Sequence, residues 1–158
     1  LKGNGYLCAV RNVYLLQGIN LVRVGKREPV LYGNTSWPDA RLHLQHWLEL
    51  HWPGISLLDC TTTSEQEAVE FLHRMADDPH AVGGLINPGA WTHTSLALRD
   101  AAAGVGVPLV EVHLSHTYAR ESYRKSSLVA SECLGTVSGF GWLGYTLGFQ
   151  ALLAQQPA

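Results

Sequence analysis

Two residues in the stretch 108–124 have the types and spacing that proton transfer needs. Glu111 and His113 are two positions apart on a predicted strand, so their side chains point to the same face. A carboxylate beside an imidazole fixes the tautomer of the ring and stabilises imidazolium, which suits a general acid. A purely structural pair is the alternative, and these two residues alone do not decide between the two.

Arginines in the same stretch could bind an anion. Arg120 and Arg124 are four residues apart, so on one helical turn they would share a face. Together with Arg27 they could form a positively charged pocket for a carboxylate or an enolate-like charge. The alternative is surface arginines paired with Glu121 or Glu28, and it is favoured when the arginines are considered alone.

A tyrosine in the loop at residues 18–35 could act as a base. The pKa of a phenol is about 10, so a cation must lower the pKa of Tyr32 before it can accept a proton at neutral pH. Arg27 in the same loop can supply that charge. A loop of this length is typical of a lid. Taken alone, Tyr32 is better explained as a loop residue packed on the domain.

Polar residues also follow the third predicted strand. Asn87 lies at its carboxyl end, and residues 92–95 supply hydroxyls and backbone N–H groups at the start of the next helix. The start of a helix is a natural place for polar or anionic ligand groups. The alternative is a simple helix cap by Thr94 or Ser95.

The remaining histidines and the cysteines predict no further chemistry. His43 and His46 have the i, i+3 spacing of zinc ligands, but no Cys, Asp or Glu completes a recognisable metal set. We expect solvated histidines and no metal. Three widely spaced cysteines, Cys8, Cys60 and Cys133, fit a reduced cytoplasmic protein better than a disulfide framework.

The composition is that of a globular protein. The 158 residues are 46% hydrophobic and 15% charged, with a formal net charge of −2. These values argue against a nucleic-acid or anionic-membrane partner, and no apolar run approaches the length of a membrane span. We expect an N-terminal extension over residues 1–9, one folded domain over 10–154 and a C-terminal tail over 155–158.

Strand and helix patterns alternate along the chain, five times by our assignment. Predicted strands cover residues 13–16, 55–58, 81–86, 107–112 and 133–138, and predicted helices begin after Ser36, at the Ser64 capping box, at 95 and at 143. This alternation predicts a parallel sheet covered on both faces. Five strands favour a flavodoxin-like three-layer α/β fold of order 2-1-3-4-5, in which the loops after strands 1, 3 and 4 face one crevice.

Taken together, these segments resemble type II 3-dehydroquinate dehydratases. The resemblance spans roughly residues 13–153, with the segments in order and at family spacing. It rests on Gly18-x-Asn20-Leu21, Gly25-x-Arg27-Glu28-Pro29-x-x-Tyr32-Gly33, Ile86-Asn87-Pro88-Gly89-Ala90-x-Thr92-His93-Thr94-Ser95-x-Ala97-Leu98-Arg99-Asp100, and Pro108-x-x-Glu111-Val112-His113-x-Ser115 with Ala119-Arg120-Glu121 and Arg124.

The resemblance implies trans-elimination of water from 3-dehydroquinate to give 3-dehydroshikimate, without a metal or organic cofactor. Tyr32 matches the base that removes the proton alpha to the ketone, and Arg27 matches the arginine that lowers the pKa of that tyrosine. Asn20 matches the residue that stabilises the enolate through a water. His113, oriented by Glu111, matches the acid that protonates the departing hydroxyl.

Other matched positions bind substrate or a neighbouring subunit in this family. The substrate-binding positions are Asn87, His93, Ser115 and Arg124, with backbone N–H groups at Leu114 and Ser115 receiving the carboxylate. Arg120 matches an arginine that supports the tyrosine. Asp100 matches a residue that reaches a neighbouring subunit's site, and the family's trimers assemble into dodecamers.

The sequence departs from the family pattern beside the expected site. Gln17 and Ile19 stand where Asn and Pro are usual, and His116 and Tyr118 stand where Asn and His are usual. We therefore keep two alternatives: a dehydratase of an amino analogue of dehydroquinate in secondary metabolism, and a non-catalytic flavodoxin-like binding protein. Retention of the whole proton-transfer set argues against the second.

Overall fold

Five parallel strands form the centre of the structure. The computed structural model describes residues 10–26 and 35–155. The strands are β1 (Arg11–Gln17), β2 (Ile55–Thr61), β3 (Ala81–Asn87), β4 (Leu109–His113) and β5 (Gly135–Ser138). They form one sheet of order β2-β1-β3-β4-β5, with every neighbouring pair parallel. The predicted flavodoxin-like order is confirmed.

Four α-helices cover the two faces of the sheet. They are α1 (Trp37–His51), α2 (Glu65–Asp77), α3 (Leu96–Ala103) and α4 (Leu143–Leu153). Alternate residues of β1 separate the two hydrophobic cores: Leu15 packs with α1 and α4, whereas Leu16 packs with α2 and α3. The predicted three-layer arrangement follows from this alternation.

Serine caps set the starts of three helices, as the sequence predicts. The hydroxyls of Ser36, Ser64 and Ser95 each accept a hydrogen bond from a backbone N–H in the first turn. The predicted capping box at Ser64 is only half formed. The carboxylate of Glu67 accepts from the Thr62 hydroxyl, which in turn accepts from the backbone N–H of Ser64.

The strands differ from their predicted bounds at the ends. The first three extend beyond their apolar runs to Gln17, Thr61 and Asn87. The parallel ladder continues there because Gln17 pairs with Thr61 on one side and with Asn87 on the other. The last two strands begin later than predicted, at Leu109 and Gly135.

The connection from β4 to β5 contains no α-helix, although all of its residues, 114–134, are described. It consists of short 3-10 turns at Thr117–Ala119, Ser122–Lys125 and Ala130–Glu132. The prediction that strands and helices alternate five times is therefore wrong at the connection from β4 to β5. This segment has no apolar stripe of helical spacing to bury. Its hydroxyl groups hydrogen-bond to the sheet instead: Ser127 to Glu111 of β4, and Thr117 to Ser138 of β5.

Several expectations fall outside the described residues. These are the N-terminal extension with Cys8, most of the C-terminal tail, and residues 27–34 with Arg27 and Tyr32. Among residues 10–26 and 35–155, no helix has both the length and the apolar character needed to cross a bilayer.

Candidate active site

An open cavity lies at the carboxyl ends of β1, β3 and β4. The loop after β1 contributes Ile19, Asn20, Leu21 and Val24; the end of β3 and the loop after it contribute Asn87, Gly89, Ala90 and His93; the end of β4 and the segment after it contribute His113, Leu114, Ser115, Thr117, Arg120 and Arg124. The predicted meeting of these three loops is confirmed. Ligands of open α/β sheets bind at this edge.

A backbone contact joins the first two loops. A Cβ atom on Gly18 would lie 2.4 Å from the carbonyl oxygen of Pro88, and one on Gly89 would lie 2.5 Å from that of Ile19. The N–H of Gly18 donates to the carbonyl of Asn87 at 2.8 Å. Glycine at both positions lets the loops touch, and Asn20 beyond them has left-handed backbone angles (φ 72°), which asparagine tolerates.

Glu111 and His113 form the predicted pair. His113 Nε2 lies 2.9 Å from Glu111 Oε1. Because an ionised carboxylate only accepts hydrogen bonds, Nε2 carries the proton, and the other ring nitrogen, Nδ1, has no hydrogen-bond partner within the described part of the chain. His113 is 8% exposed and lines the cavity, which leaves Nδ1 able to exchange a proton with a ligand.

Hydroxyl groups also hydrogen-bond to the Glu111 carboxylate. Thr92 donates to Oε1, and the Oγ of Ser127 lies 2.9 and 3.0 Å from the two carboxylate oxygens. Burial alone would raise the pKa of this fully buried carboxyl. The hydrogen bond and charge of His113, with the hydroxyls of Thr92 and Ser127, outweigh burial and hold the pKa below its usual range. Glu111 is therefore ionised at neutral pH.

His93 lines the same cavity from the β3 side. Its Nδ1 donates to the carbonyl oxygen of Ser126 at 2.6 Å, since a carbonyl can only accept. The ring also meets Tyr123 edge to face. These contacts fix the orientation of the imidazole and leave Nε2 for a ligand.

The two predicted arginines both line the cavity, but not as neighbours on one helical turn. Arg120 follows the turn Thr117–Ala119, and Arg124 lies in the next turn, Ser122–Lys125. Arg120 Nη1 donates to Ser115 Oγ at 3.1 Å. Both guanidinium groups also approach Glu121, at 3.5 and 2.8 Å. The pairing with Glu121 is confirmed, whereas the anion pocket stays a prediction, because its third arginine, Arg27, lies outside the described residues.

Two backbone N–H groups after β4 are candidate donors to a ligand. The N–H groups of Leu114 and Ser115 donate no hydrogen bond to other described residues. Both residues line the cavity. Adjacent unbonded N–H groups beside arginines suit a carboxylate.

The matches to known proteins identify the family. The family model Dehydroquinase class II matches residues 11–153. The 3-dehydroquinate dehydratase of Prochlorococcus marinus is 44% identical over 142 residues, covering 90% of this chain and 93% of that protein. The chain belongs to the class II dehydroquinase family. The prediction of this enzyme family is thereby confirmed.

Solved structures of class II dehydroquinases have the same fold. The type II dehydroquinase from Propionibacterium acnes superposes with a TM-score of 0.84 at 34% identity, covering 92% of this chain and 97% of that one. The enzyme from Butyrivibrio crossotus gives 0.86 at 28% identity, covering 90% and 97%.

Among the departures from the dehydroquinase pattern, only some touch the cavity. Ile19 forms part of its wall. His116 and Tyr118 do not line it, and both are exposed. Tyr118 borders a second cavity that shares His93, His113 and Arg124 with the first, so the change at Tyr118 lies next to residues of the site.

Two expectations concern residues away from this dehydroquinase-type cavity. Asp100 is exposed, forms an ion pair with Arg99 at 3.3 Å and does not line the cavity of its own chain. No group of three or more His, Cys, Asp or Glu side chains within residues 10–26 and 35–155 could hold a metal ion.

Sequence reasoning missed several residues that build the site. Thr117 and Ser127 lie in the connection from β4 to β5, where no periodic pattern marks them. Tyr145 and Gln17 are buried beneath Asn87 and hydrogen-bond with each other. A usable signal existed for Tyr145, because a tyrosine in the apolar helix 143–153 needs a partner for its hydroxyl.

Proposed function

We propose that this protein is a 3-dehydroquinate dehydratase that eliminates water in trans from 3-dehydroquinate to give 3-dehydroshikimate. The observation that carries the proposal is the fully buried Glu111 carboxylate, which lies 2.9 Å from His113 Nε2 and holds this imidazole at the cavity wall. Elimination next to a ketone needs a base, a group that stabilises the enolate and an acid for the leaving hydroxyl.

His113 is the acid of the proposed reaction. Its unbonded Nδ1 delivers a proton to the departing hydroxyl, which leaves as water. Glu111 fixes the tautomer and stabilises the imidazolium form between turnovers. His113 itself, with the neighbouring hydroxyls of Thr92 and Ser127, keeps the carboxylate ionised, so the pair is ready before the substrate binds.

Tyr32 and Asn20 supply the other half of the proposed chemistry. Tyr32, with its pKa lowered by Arg27, takes the proton alpha to the ketone, and the electrons of that C–H bond move into the enolate. Asn20, whose position lines the cavity, stabilises the enolate oxygen through a water. Collapse of the enolate then expels the hydroxyl that His113 protonates.

The remaining cavity residues bind the substrate in this proposal. The substrate carboxylate accepts from the backbone N–H groups of Leu114 and Ser115. Asn87, His93 and Arg124 contact the substrate's other polar groups. Arg120, held against Ser115, supports Tyr32.

We also infer how the protein is organised and assembled. Residues 10–154 form one catalytic domain that trimerises, and the trimers form a dodecamer in which the exposed Asp100 reaches a neighbouring site. Cys60 and Cys133 are free thiols, which supports a cytoplasmic location. The net charge of −2 argues against a nucleic-acid or membrane partner.

Following enone absorbance with purified protein and 3-dehydroquinate tests this function. We expect absorbance to rise with the wild type and almost no rise with Tyr32→Phe, which removes the proposed base. The matched control is Tyr14→Phe. Tyr14 is a buried tyrosine that hydrogen-bonds to Asp78 and packs in the core beside α2 and α3, so this variant should retain turnover. Absence of turnover by folded wild type would overturn the proposal, and turnover of the amino analogue alone would redirect it to that substrate.

A further inference from the structure

Four polar side chains form a hydrogen-bonded row beneath the cavity. Asn87 Nδ2 donates to the hydroxyl of Tyr145 at 2.7 Å, and that hydroxyl donates to Gln17 Oε1 at 2.9 Å. Gln17 Nε2 donates to Thr61 Oγ1 at 3.2 Å. The row crosses the carboxyl ends of β2, β1 and β3, and only Asn87 of the four lines the cavity.

A backbone group fixes the direction of every bond in this row. The N–H of Gly89 can only donate, and it lies 3.3 Å from Asn87 Oδ1. The amide of Asn87 must therefore present its Nδ2 to Tyr145. The tyrosine oxygen accepts that hydrogen bond, so its single proton goes to Gln17 Oε1.

Because Tyr145 lies in an apolar core, its hydroxyl would destabilise the fold if these hydrogen-bond partners were absent. Tyr145 and Gln17 are fully buried. The ring of Tyr145 belongs to the apolar core under α1 and α4, beside Phe149 and Leu15. A buried hydroxyl that lacks a hydrogen bond destabilises the fold, whereas phenylalanine would fill the same space at no such cost. Burial also raises the pKa of the Tyr145 phenol, so the hydroxyl stays protonated and remains a donor.

We propose that Tyr145 and Gln17 are positioning residues that lock the Asn87 amide in one orientation for ligand recognition. The inference rests on the proposed function insofar as Asn87 binds substrate. In the locked orientation Asn87 keeps one N–H and one lone pair of Oδ1 for the cavity. An alcohol hydroxyl both donates and accepts, so the group that Asn87 recognises is a substrate hydroxyl.

A double-mutant cycle tests this role. Asn87 contributes to binding throughout the reaction, so Tyr145→Phe should lower kcat/KM about tenfold, mainly through KM. In an Asn87→Ala background the same change should alter kcat/KM less than about twofold, because the residue that Tyr145 positions is gone. An equal loss in both backgrounds would show that Tyr145 does not act through Asn87.

Two further variants separate positioning from a general effect on packing. Tyr14→Phe also removes one buried phenol hydroxyl, but from the other core, and should leave kcat/KM within about twofold. Gln17→Met keeps the side-chain length and removes the acceptor of Tyr145, so it should reproduce the loss seen for Tyr145→Phe. If Gln17→Met binds and turns over substrate as the wild type does, the proposed positioning of Asn87 by Tyr145 and Gln17 is wrong.

A crystal structure of Tyr145→Phe makes the inference independent of the enzyme activity. We expect the Asn87 side chain to rotate away from its contact with the Gly89 N–H. An Asn87 side chain that keeps this contact would overturn the positioning role. Wild-type protein that does not act on 3-dehydroquinate would overturn the proposed function alone, because the Asn87 geometry is read without substrate.

Discussion

His113 Nε2 lies 2.9 Å from Oε1 of Glu111, and the carboxylate that makes this contact has no exposed surface. A bare buried carboxylate would take up a proton and lose its hold on the imidazole. The hydrogen bond and charge of His113, together with the hydroxyls of Thr92 and Ser127, prevent this by stabilising the charged form. The pair is thus a preorganised unit built from three segments of the chain.

Replacing the charge of this unit while keeping its shape should impair the chemical step. Glu111→Gln retains a hydrogen-bonding side chain of the same length but cannot stabilise imidazolium. We expect kcat to fall roughly 100-fold, the lower range for loss of general acid catalysis, with KM little changed. Steady-state kinetics on 3-dehydroquinate measure this. Glu132→Gln, at a carboxylate paired with Arg99 outside the cavity, is the control and should keep wild-type kcat.

The same carboxylate should make stability depend on pH in the acid range. The pKa of Glu111 is lowered in the folded state, below an unfolded value of about 4.3. Its contribution to the free energy of unfolding is therefore complete above about pH 4.3 and is lost as the pH falls through the folded pKa. Denaturant unfolding of wild type and Glu111→Gln between about pH 3 and 5 tests this. As the pH falls, the free energy of unfolding of the wild type should decrease relative to that of Glu111→Gln. Asp78 and Glu121, whose pKa values are also lowered, are present in both proteins, so their contributions cancel in the comparison. A difference that stays constant would contradict the assignment.

Removing the imidazole should affect catalysis more than binding. His113→Ala deletes the proposed acid, so kcat should fall roughly 100-fold or more while KM changes only a fewfold. His116→Ala removes an exposed imidazole three residues away that does not line the cavity, and should behave as the wild type. A change confined to KM for His113→Ala would argue that this residue binds substrate and transfers no proton.

Local rules predicted the sheet and much of the site. The parallel sheet follows from the alternation of apolar runs and helical patterns, its order from the arrangement that five such strands favour, and the approach of Glu111 to His113 from i, i+2 geometry within one strand. Asn20, Asn87 and His113 meet because the carboxyl ends of parallel strands share one edge of the sheet. These inferences need only the period of each element and its direction.

Contacts set by tertiary packing were not predictable in the same way. The i, i+4 spacing of Arg120 and Arg124 suggested a helical turn, but the chain there folds into separate 3-10 turns. Ser127 reaches Glu111 from 16 residues away, and Tyr145 reaches Gln17 from 128 residues away. No local pattern encodes partners at such separations.

The contact between the loops after β1 and β3 gives a last prediction. Alanine at Gly18 would place its Cβ 2.4 Å from the carbonyl oxygen of Pro88, and this backbone atom cannot move aside as a flexible side chain could. The loops must separate, which strains the hydrogen bond from the Gly18 N–H to Asn87. We expect Gly18→Ala to lower the free energy of unfolding by about 1–3 kcal/mol, as overpacking does.

Activity should fall further than stability alone explains, because Asn20 and Asn87 line the cavity on the two loops that separate. A displacement of about 1 Å can cost about 100-fold in rate. Denaturant unfolding and turnover of 3-dehydroquinate measure the two effects under conditions in which the variant is fully folded. Gly135→Ala is the matched control, since nothing lies within 4 Å of its Cβ position. A Gly18→Ala variant with wild-type kcat/KM would mean that the spacing of the two loops does not set the geometry of the site.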